Sequence, residues 1–163
     1  MLKNLVTLVS GAASGIGKAT CKEFCKQGVK AVVACDLNTK LLDETCHEIS
    51  KEFKDVKLLP LKVDVSKRSD VENMVTQTVK NFQRLDVAFN NAGIGYAENE
   101  VGPFHKQSIE IHEKVLGVNL MGVLYAMHYQ INQMLSQPKG NYSIVNTASI
   151  LGAQVRIIIF SYR

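Results

Sequence analysis

The sequence lacks the features that mark nucleic-acid-binding proteins. Its 163 residues carry a net charge of +4, but Lys and Arg are scattered rather than gathered in a run. Trp is absent, and the few aromatic residues are not interleaved with basic ones. A nucleic-acid site needs a basic patch, with stacking aromatics where bases are bound. The composition therefore argues against a nucleic-acid partner and favours an ordinary charged surface.

Long apolar runs and metal-ligand patterns are lacking too. No stretch approaches the ~20 apolar residues that cross a bilayer, and no secretory signal precedes the first apolar segment. The cysteines form no C-x-x-C pair and have no accompanying His or carboxylate cluster; they are Cys21, Cys25, Cys35 and Cys46. We expect no membrane span, no metal site, reduced structural thiols and a cytoplasmic location.

Strand and helix patterns alternate along the whole sequence. Apolar runs of strand length lie at 5–9, 31–35, 58–65, 85–89 and 143–147, with helical patterns between them. The last helical pattern, 108–137, is apolar on so many sides that we expect much of its circumference to be buried. The alternation predicts an α/β fold, namely a three-layer Rossmann-type doubly wound parallel sheet. No linker or repeat interrupts it, so we predict a single domain over residues 1–163.

A glycine-spaced turn follows the first apolar run and precedes a helix. Gly11 permits a tight turn, Gly15 lets the backbone approach a pyrophosphate, and Gly17 allows close packing of helix and strand. Their spacing, G-x-x-x-G-x-G, differs from the commoner G-x-G-x-x-G. The arrangement directs free backbone N–H groups and a positive helix end towards a phosphate.

Asp36 closes the second apolar run, 19 positions after Gly17. At this distance a carboxylate accepts from the ribose hydroxyls of a dinucleotide, and it repels a 2′-phosphate. No Arg follows to receive such a phosphate, so the sequence favours NAD over NADP. The alternative is that Asp36 merely caps the next helix, a position that Asn38 suits equally well.

The second half of the sequence carries further motifs at strand ends. Asp64-Val65 ends the third apolar run, and Asn90-Asn91-Ala92-Gly93 follows the fourth. Asn119 stands among apolar neighbours, and we expect a buried, paired amide there. Ser149 follows the fifth run, within the segment Ile-Val-Asn-Thr-Ala-Ser-Ile-Leu-Gly. The ordered set, over residues 1 to about 152, closely resembles the classical short-chain dehydrogenase/reductase family.

The resemblance implies hydride transfer between a nicotinamide cofactor and a small-molecule alcohol/carbonyl pair. Asn119 would hold a water in a proton relay, and Ser149 would donate a hydrogen bond to the substrate oxygen. Asp64 and Val65 would border the adenine. The implied cofactor-binding residues are Ser10, Gly11, Ser14, Gly15, Ile16, Gly17, Asp36, Asp64, Val65, Asn90, Ala92 and Gly93.

The sequence departs from the family pattern after residue 152. Tyr162 lies 13 positions after Ser149, within the family's Ser-to-Tyr spacing, and is the candidate acid/base. The family's Lys, four residues beyond that Tyr, has no counterpart before Arg163, and the tail 153–163 is atypical. We therefore expect a C-terminally truncated chain, with the sheet incomplete at its C-terminal edge and the family's usual homo-oligomer interface incomplete. Two hypotheses stay open, an NAD-dependent oxidoreductase or a catalytically impaired nucleotide-binding fragment or isoform.

Overall fold

The computed structural model describes residues 2–95 and 103–149, which contain a parallel five-stranded sheet. Its strands are β1 (Val6–Ser10), β2 (Ala31–Asp36), β3 (Lys57–Lys62), β4 (Val87–Asn90) and β5 (Ser143–Asn146). The helices are α1 (Gly15–Lys26), α2 (Thr39–Glu52), α3 (Arg68–Phe82), α4 (Ile109–Leu116) and α5 (Gly122–Ser136). A short 3-10 turn spans Phe104–Lys106, and a π-helical turn, Gly117–Met121, joins α4 to α5 without a break.

The strand order is β3-β2-β1-β4-β5, and all neighbouring strands are parallel. The chain moves outward from β1 to β3, then returns to the other side of β1 for β4 and β5. The reversal places a topological switch point between β1 and β4, where ligands bind beyond the carboxyl ends of the strands. The predicted Rossmann-type doubly wound sheet is confirmed.

Alternate residues of the strands pack into two separate hydrophobic cores, one on each face of the sheet. Val6 and Leu8 of β1 pack on one side of the sheet, with buried side chains of α3 and α5. Val9 faces the other side, towards α1 and α2. This period of two puts helices on both faces of the sheet, which gives the three predicted layers.

The third strand ends earlier than the sequence predicts. It stops at Lys62, and the expected continuation to Val65 is wrong. The Val63 N–H still donates to the Asp36 carbonyl at 3.0 Å. Beyond it the Asp64 carboxylate accepts from the Ser66 N–H at 3.1 Å and from the Ser66 hydroxyl at 2.6 Å. This side-chain turn bends the chain away from the sheet before α3 begins.

The helical segment 109–136 forms as expected, but the expectation of extensive burial is wrong. No residue of α4 is buried, and α5 buries only Gly122, Ala126, Gln130 and Met134, which recur every four residues. Leu120 and Leu124 are 51% and 50% exposed. The large apolar side chains exposed along α4, the π turn and α5 are Ile109, Leu116, Leu120, Met121, Leu124, Ile131 and Leu135.

Neither 2–95 nor 103–149 contains a helix with the length and apolar character that crossing a bilayer requires.

Candidate functional site

The glycine loop is built by a close contact between two of its glycines. Gly11 has φ +67°, a left-handed conformation that suits glycine. A Cβ on Gly17 would lie 1.9 Å from the Gly11 carbonyl oxygen. The start of α1 therefore packs directly on the loop backbone, and any side chain at position 17 would separate them.

The amino end of α1 has the properties of a phosphate site. Ser14 is the N-cap residue, but its hydroxyl makes no capping hydrogen bond. A Cβ on Gly15 would have no atom within 4 Å, so the space above this residue is open. The backbone N–H groups of the first turn carry the positive end of the helix dipole, and a phosphate placed there would pair with them.

Asp36 is held by two backbone donors at the end of β2. Its Oδ2 accepts from the Ala13 N–H and its Oδ1 from the Asn38 N–H, each at 2.9 Å. The cap of α2 is Asn38, whose Oδ1 accepts from the Leu41 N–H at 3.1 Å. The alternative that Asp36 serves as this cap is therefore wrong. The two backbone bonds fix the carboxylate beside the glycine loop.

Asp64 lies at the neighbouring strand end, just beyond β3. The hydroxyl of Ser66 hydrogen-bonds to its carboxylate and lowers the pKa of Asp64, and Lys67, 3.6 Å away, acts in the same direction. The group is thus ionised at neutral pH. Two carboxylates, those of Asp36 and Asp64, line the same side of the candidate site.

A cavity of about 130 Å³ joins these strand ends. Its lining includes six of the predicted cofactor residues, Gly11, Asp36, Asp64, Val65, Ala92 and Gly93. Sequence reasoning missed the rest of the lining, which is Cys35, Leu37, Val63, Ile94 and Val118. The mixture of apolar walls with carboxylates fits an adenosine group, since a flat base needs apolar contacts and a ribose needs acceptors.

The other six predicted cofactor residues divide into two that lie beside this cavity and four that lie at the start of α1. Ser10 and Asn90 line a small adjoining void with Val65 and Ala92. Ser14 and Ile16 stand at the start of α1, and Ile16 is 65% exposed. They border the candidate phosphate position and not the cavity.

The glycine loop is tied to the end of β4 through Asn91. The Ser10 hydroxyl accepts from the Asn91 and Ala92 N–H groups at 3.1 and 3.2 Å. The Asn91 side-chain amide donates to the carbonyls of Ser10 and Gly11, each at 3.3 Å. Sequence reasoning quoted Asn91 within N-N-A-G without giving it a site role. The available signal was its place in that motif, directly after a buried strand.

Asn119 lies in the π-helical turn and clamps the chain after β4. Its Oδ1 accepts from the Ile94 N–H and its Nδ2 donates to the Ile94 carbonyl, both at 2.9 Å. The expected pairing of the amide is confirmed, but the residue is exposed and the expected burial is wrong. A Cβ on Gly93 would lie 3.4 Å from Asn119 Oδ1, so Asn119 borders the cavity wall.

Ser149 follows β5 and is exposed. Two residues earlier, the Thr147 hydroxyl donates to Asn91 Oδ1 at 3.2 Å. This contact joins the segment that carries Ser149 to the glycine loop. Tyr162 and the tail 153–163 lie outside the described residues, so the acid/base assignment of Tyr162 stays a prediction.

The four cysteines are free thiols, and all are buried. Burial is the main cause that raises the pKa of Cys25 and of Cys46 to about 11, and it raises those of Cys21 and Cys35 as well. Thiols in this state are poor nucleophiles and poor metal ligands. Within 2–95 and 103–149, no group of three or more His, Cys, Asp and Glu is arranged to hold a metal ion.

Comparison with known proteins gives many relatives. The chain is 35% identical over 152 residues to 3beta-hydroxysteroid dehydrogenase 2 of Eggerthella lenta, which covers 93% of this chain and 56% of the relative. It is 39% identical over 149 residues to cyclohexanol dehydrogenase of Acinetobacter sp. strain SE19, covering 91% of this chain and 56% of the relative. The chain thus spans little more than half the length of these relatives.

Solved structures share the fold. A short chain dehydrogenase/reductase from Burkholderia phymatum in complex with NAD superposes with a TM-score of 0.86 at 28% identity, covering 95% of this chain and 52% of that one. NAD⁺-bound xylitol dehydrogenase gives 0.84 at 29% identity, covering 94% and 56%.

The family model described as short chain dehydrogenase matches residues 5–163, which include the tail 153–163. With the strand order, the glycine loop and the cavity at the switch point, this match places the chain in the short-chain dehydrogenase family.

Proposed function

We propose that this chain binds NAD and belongs to an oxidoreductase that interconverts an alcohol and a ketone or aldehyde. The observation that carries the proposal is the anchored carboxylate of Asp36, which faces a cavity that Gly11 and Gly93 also line. The relatives named above act, by their names, on hydroxysteroid and cyclohexanol substrates, and two structural neighbours hold NAD. They support an alcohol/carbonyl substrate class.

Each part of the proposed site has a separate task. The first turn of α1 and Gly15 receive the pyrophosphate, and Asp36 accepts from the adenosine ribose hydroxyls. Val65 and Val118 offer apolar walls to the adenine. Ala92 and Gly93 leave room for the rest of the dinucleotide along the end of β4. The bound nicotinamide would supply the hydride chemistry.

Proton handling is assigned to the other end of the site. Ser149 donates a hydrogen bond to the substrate oxygen, which orients the carbonyl and stabilises negative charge on it. Asn119 retains one amide hydrogen and one lone pair beyond its clamp on Ile94, enough to hold a water. Tyr162 is the proposed acid/base. An unassisted Tyr, with a pKa of about 10, is a weak base at neutral pH.

The negative charge of Asp36 supports the proposed preference for NAD over NADP. A 2′-phosphate would stand against this carboxylate, and Lys18, a nearby cation on α1, is paired with Glu48 at 2.6 Å. We expect NADH to bind more tightly than NADPH, as measured by equilibrium titration of nucleotide fluorescence. Asp36→Asn should reduce the preference because it removes the repulsion and weakens the acceptor.

Asp43→Asn is the matched control, since Asp43 is an exposed carboxylate on the neighbouring helix α2. It should leave both affinities and their ratio unchanged. Equal binding of NADH and NADPH by the unaltered chain would contradict the assignment of Asp36. Absence of nucleotide binding would contradict the proposed function as a whole.

Location and assembly form part of the same proposal. Four reduced, buried thiols support a cytoplasmic location. The apolar side chains exposed along α4 and α5 support a homo-oligomer. Sedimentation of the purified chain at several concentrations tests the second point. A monomer at all concentrations would contradict it.

A further inference from the structure

Gln130 is a fully buried polar residue that the proposed function leaves without a role. It lies on α5 with 0% of its surface exposed, on the stripe that also contains Ala126 and Met134. A buried amide on an apolar stripe is stable only when its donors and acceptor are paired. Its partner therefore reveals what the residue holds.

The partner is the side chain of Asn90, at the end of β4. Gln130 Nε2 donates to Asn90 Oδ1 at 2.8 Å, and Asn90 Nδ2 donates to Gln130 Oε1 at 3.0 Å. This reciprocal pair fixes which way the Asn90 amide faces, because the reversed orientation would set donor against donor. The Asn90–Gln130 pair lies in the buried interior, where hydrogen bonds are strongest and the loss of a partner costs the most stability.

The fixed orientation extends to β5. Asn90 Nδ2 also donates to Asn146 Oδ1, at 2.8 Å. The backbone continues the link, since the Thr147 N–H donates to the Asn90 carbonyl at 3.0 Å. Asn146 and Thr147 immediately precede the segment that carries Ser149. On the other side, Asn90 precedes Ala92 and Gly93 in the cavity wall.

We infer that Gln130 is a positioning residue, which sets the ends of β4 and β5 relative to each other through Asn90 and Asn146. By this link it aligns the nucleotide-binding wall at Ala92–Gly93 with the proton-transfer segment at Ser149. The inference deepens the proposed function and rests on it for its catalytic meaning. The alignment itself is a property of the chain with or without a nucleotide.

The test uses Gln130→Met, which keeps the length of the side chain and removes both hydrogen bonds. We expect the backbone amide resonances of Gly93 and Ser149 to shift in ¹H–¹⁵N spectra of the 163-residue chain. We also expect NADH affinity to fall by roughly 2- to 30-fold, the range found for residues that couple two parts of a site.

Gln137→Met is the matched control. Gln137 also makes two hydrogen bonds to the chain just before β4, accepting from the Leu85 N–H at 2.7 Å and donating to the Leu85 carbonyl at 3.0 Å. Leu85 lies at the opposite end of the sheet, so the control removes these two bonds, and the bond from Gln133 Nε2 to Gln137 Oε1 at 3.2 Å, without touching the site. Gln137→Met should lower the stability of the chain, leave the chemical shifts of Gly93 and Ser149 unchanged, and change NADH affinity by less than about twofold.

A second variant, Gln130→Glu, keeps the test decisive if Gln130→Met fails to fold. A protonated carboxyl group can donate and accept as the amide does, whereas an ionised one cannot donate. Burial raises the pKa of such a group, so the protonated form prevails as pH falls from about 8 to about 5. The Gly93 and Ser149 resonances of this variant should approach those of the unaltered chain over that range.

The outcomes separate the inference from the proposed function. Gly93 and Ser149 resonances that respond to Gln130→Met no more than to Gln137→Met would overturn the positioning role. So would Gln130→Glu spectra that move away from those of the unaltered chain as pH falls. Failure of the unaltered chain to bind NADH would overturn the proposed function, and the resonances would still decide the role of Gln130.

Discussion

The central strand β1 and the edge strand β5 are parallel strands of one sheet with opposite surroundings. Every residue of β1 is buried, with β2 and β4 on its two sides and a core above and below. In β5 only Ile144 is half-buried, and Val145 is 50% exposed. The same contrast holds for the helices, because α1 buries Cys21 and Cys25 and α2 buries Leu42, Cys46 and Ile49, whereas no residue of α4 is buried.

This contrast separates the residues proposed to bind the nucleotide from those proposed to act in proton transfer. Most of the residues proposed to bind the nucleotide follow the buried strands β1, β2 and β4, whose packing fixes the backbone that carries them. Asn119 and Ser149 stand on the exposed side and depend on a few hydrogen bonds for their position. Changes that disturb β1 and the glycine loop should therefore have much larger effects than similar changes near β5.

The largest effect is expected for Gly17→Ala. The new Cβ would overlap the Gly11 carbonyl oxygen, a backbone atom that cannot rotate away. The loop must move, so we expect a loss of about 3 kcal/mol in the free energy of unfolding and loss of NADH binding. Circular dichroism in urea and a fluorescence titration measure the two. Gly95→Ala is the control, because its Cβ would have no atom within 4 Å. A Gly17→Ala chain that binds NADH normally would contradict the close-packing argument.

A paired substitution, Val9→Thr and Val145→Thr, compares the two strands directly. The shapes of Val and Thr are nearly equal, so the change introduces a hydroxyl with little change in volume. At Val9, which is 0% exposed, the buried hydroxyl should cost about 1–3 kcal/mol. At Val145 the change should stay within about 0.5 kcal/mol. Equal destabilisation in urea would show that exposure does not distinguish the strands.

The burial of the cysteine thiols can be tested by their reactivity and by the pH dependence of the stability of the chain. Since the pKa values of Cys25 and Cys46 are raised to about 11 in the folded chain, their stabilising contribution is present below the ordinary thiol pKa. It is lost as pH rises through that value towards 11. We expect native chains to resist iodoacetamide at neutral pH, urea-unfolded chains to react at four sites, and stability to fall in alkali. Rapid labelling of the native chain, read by mass spectrometry, would contradict the burial.

The smallest effect on stability is expected for Glu52→Gln, at the surface end of α2. Lys22 and Glu52 are 2.7 Å apart, and Lys18 and Glu48 form a similar pair one turn earlier. Both pairs lie at the surface between α1 and α2, where solvent and salt screen them. The melting temperature should not change measurably. A loss as large as that of Val9→Thr would mean that surface charges hold α1 against α2.

The sequence predicts well what depends on local pattern. The strand and helix order, the glycine loop and the cap at Asn38 each depend on residues within a few positions of one another. Strand ends were less predictable. The end of β3 is set by the turn at Asp64, because an Asp can either continue a strand or accept from the residues that follow it.

Contacts between distant segments could not be predicted. Asn90 and Gln130 are 40 residues apart, and Asn91 and Thr147 are 56 apart. Gln130 did carry a signal, since it interrupts the buried stripe of α5. The exposure of Leu120 and Leu124 shows the converse limit. An apolar side chain indicates a preference for burial, but its pattern does not identify the surface that covers it.

The position of β1 in the sheet has a consequence for the order in which the chain is made. β1 is synthesised first and pairs with β2. Its other edge stays unpaired until β4 is made, since the Val6 N–H donates to the Asp86 carboxylate, 80 residues later, and β4 follows directly. At a synthesis rate of roughly 5–20 residues per second, that edge stays open for about 4–16 s. During this interval a strand that is fully buried in the finished sheet presents unpaired backbone groups. An open strand edge of this kind can pair with another chain, so the nascent protein is exposed to misassociation at this stage.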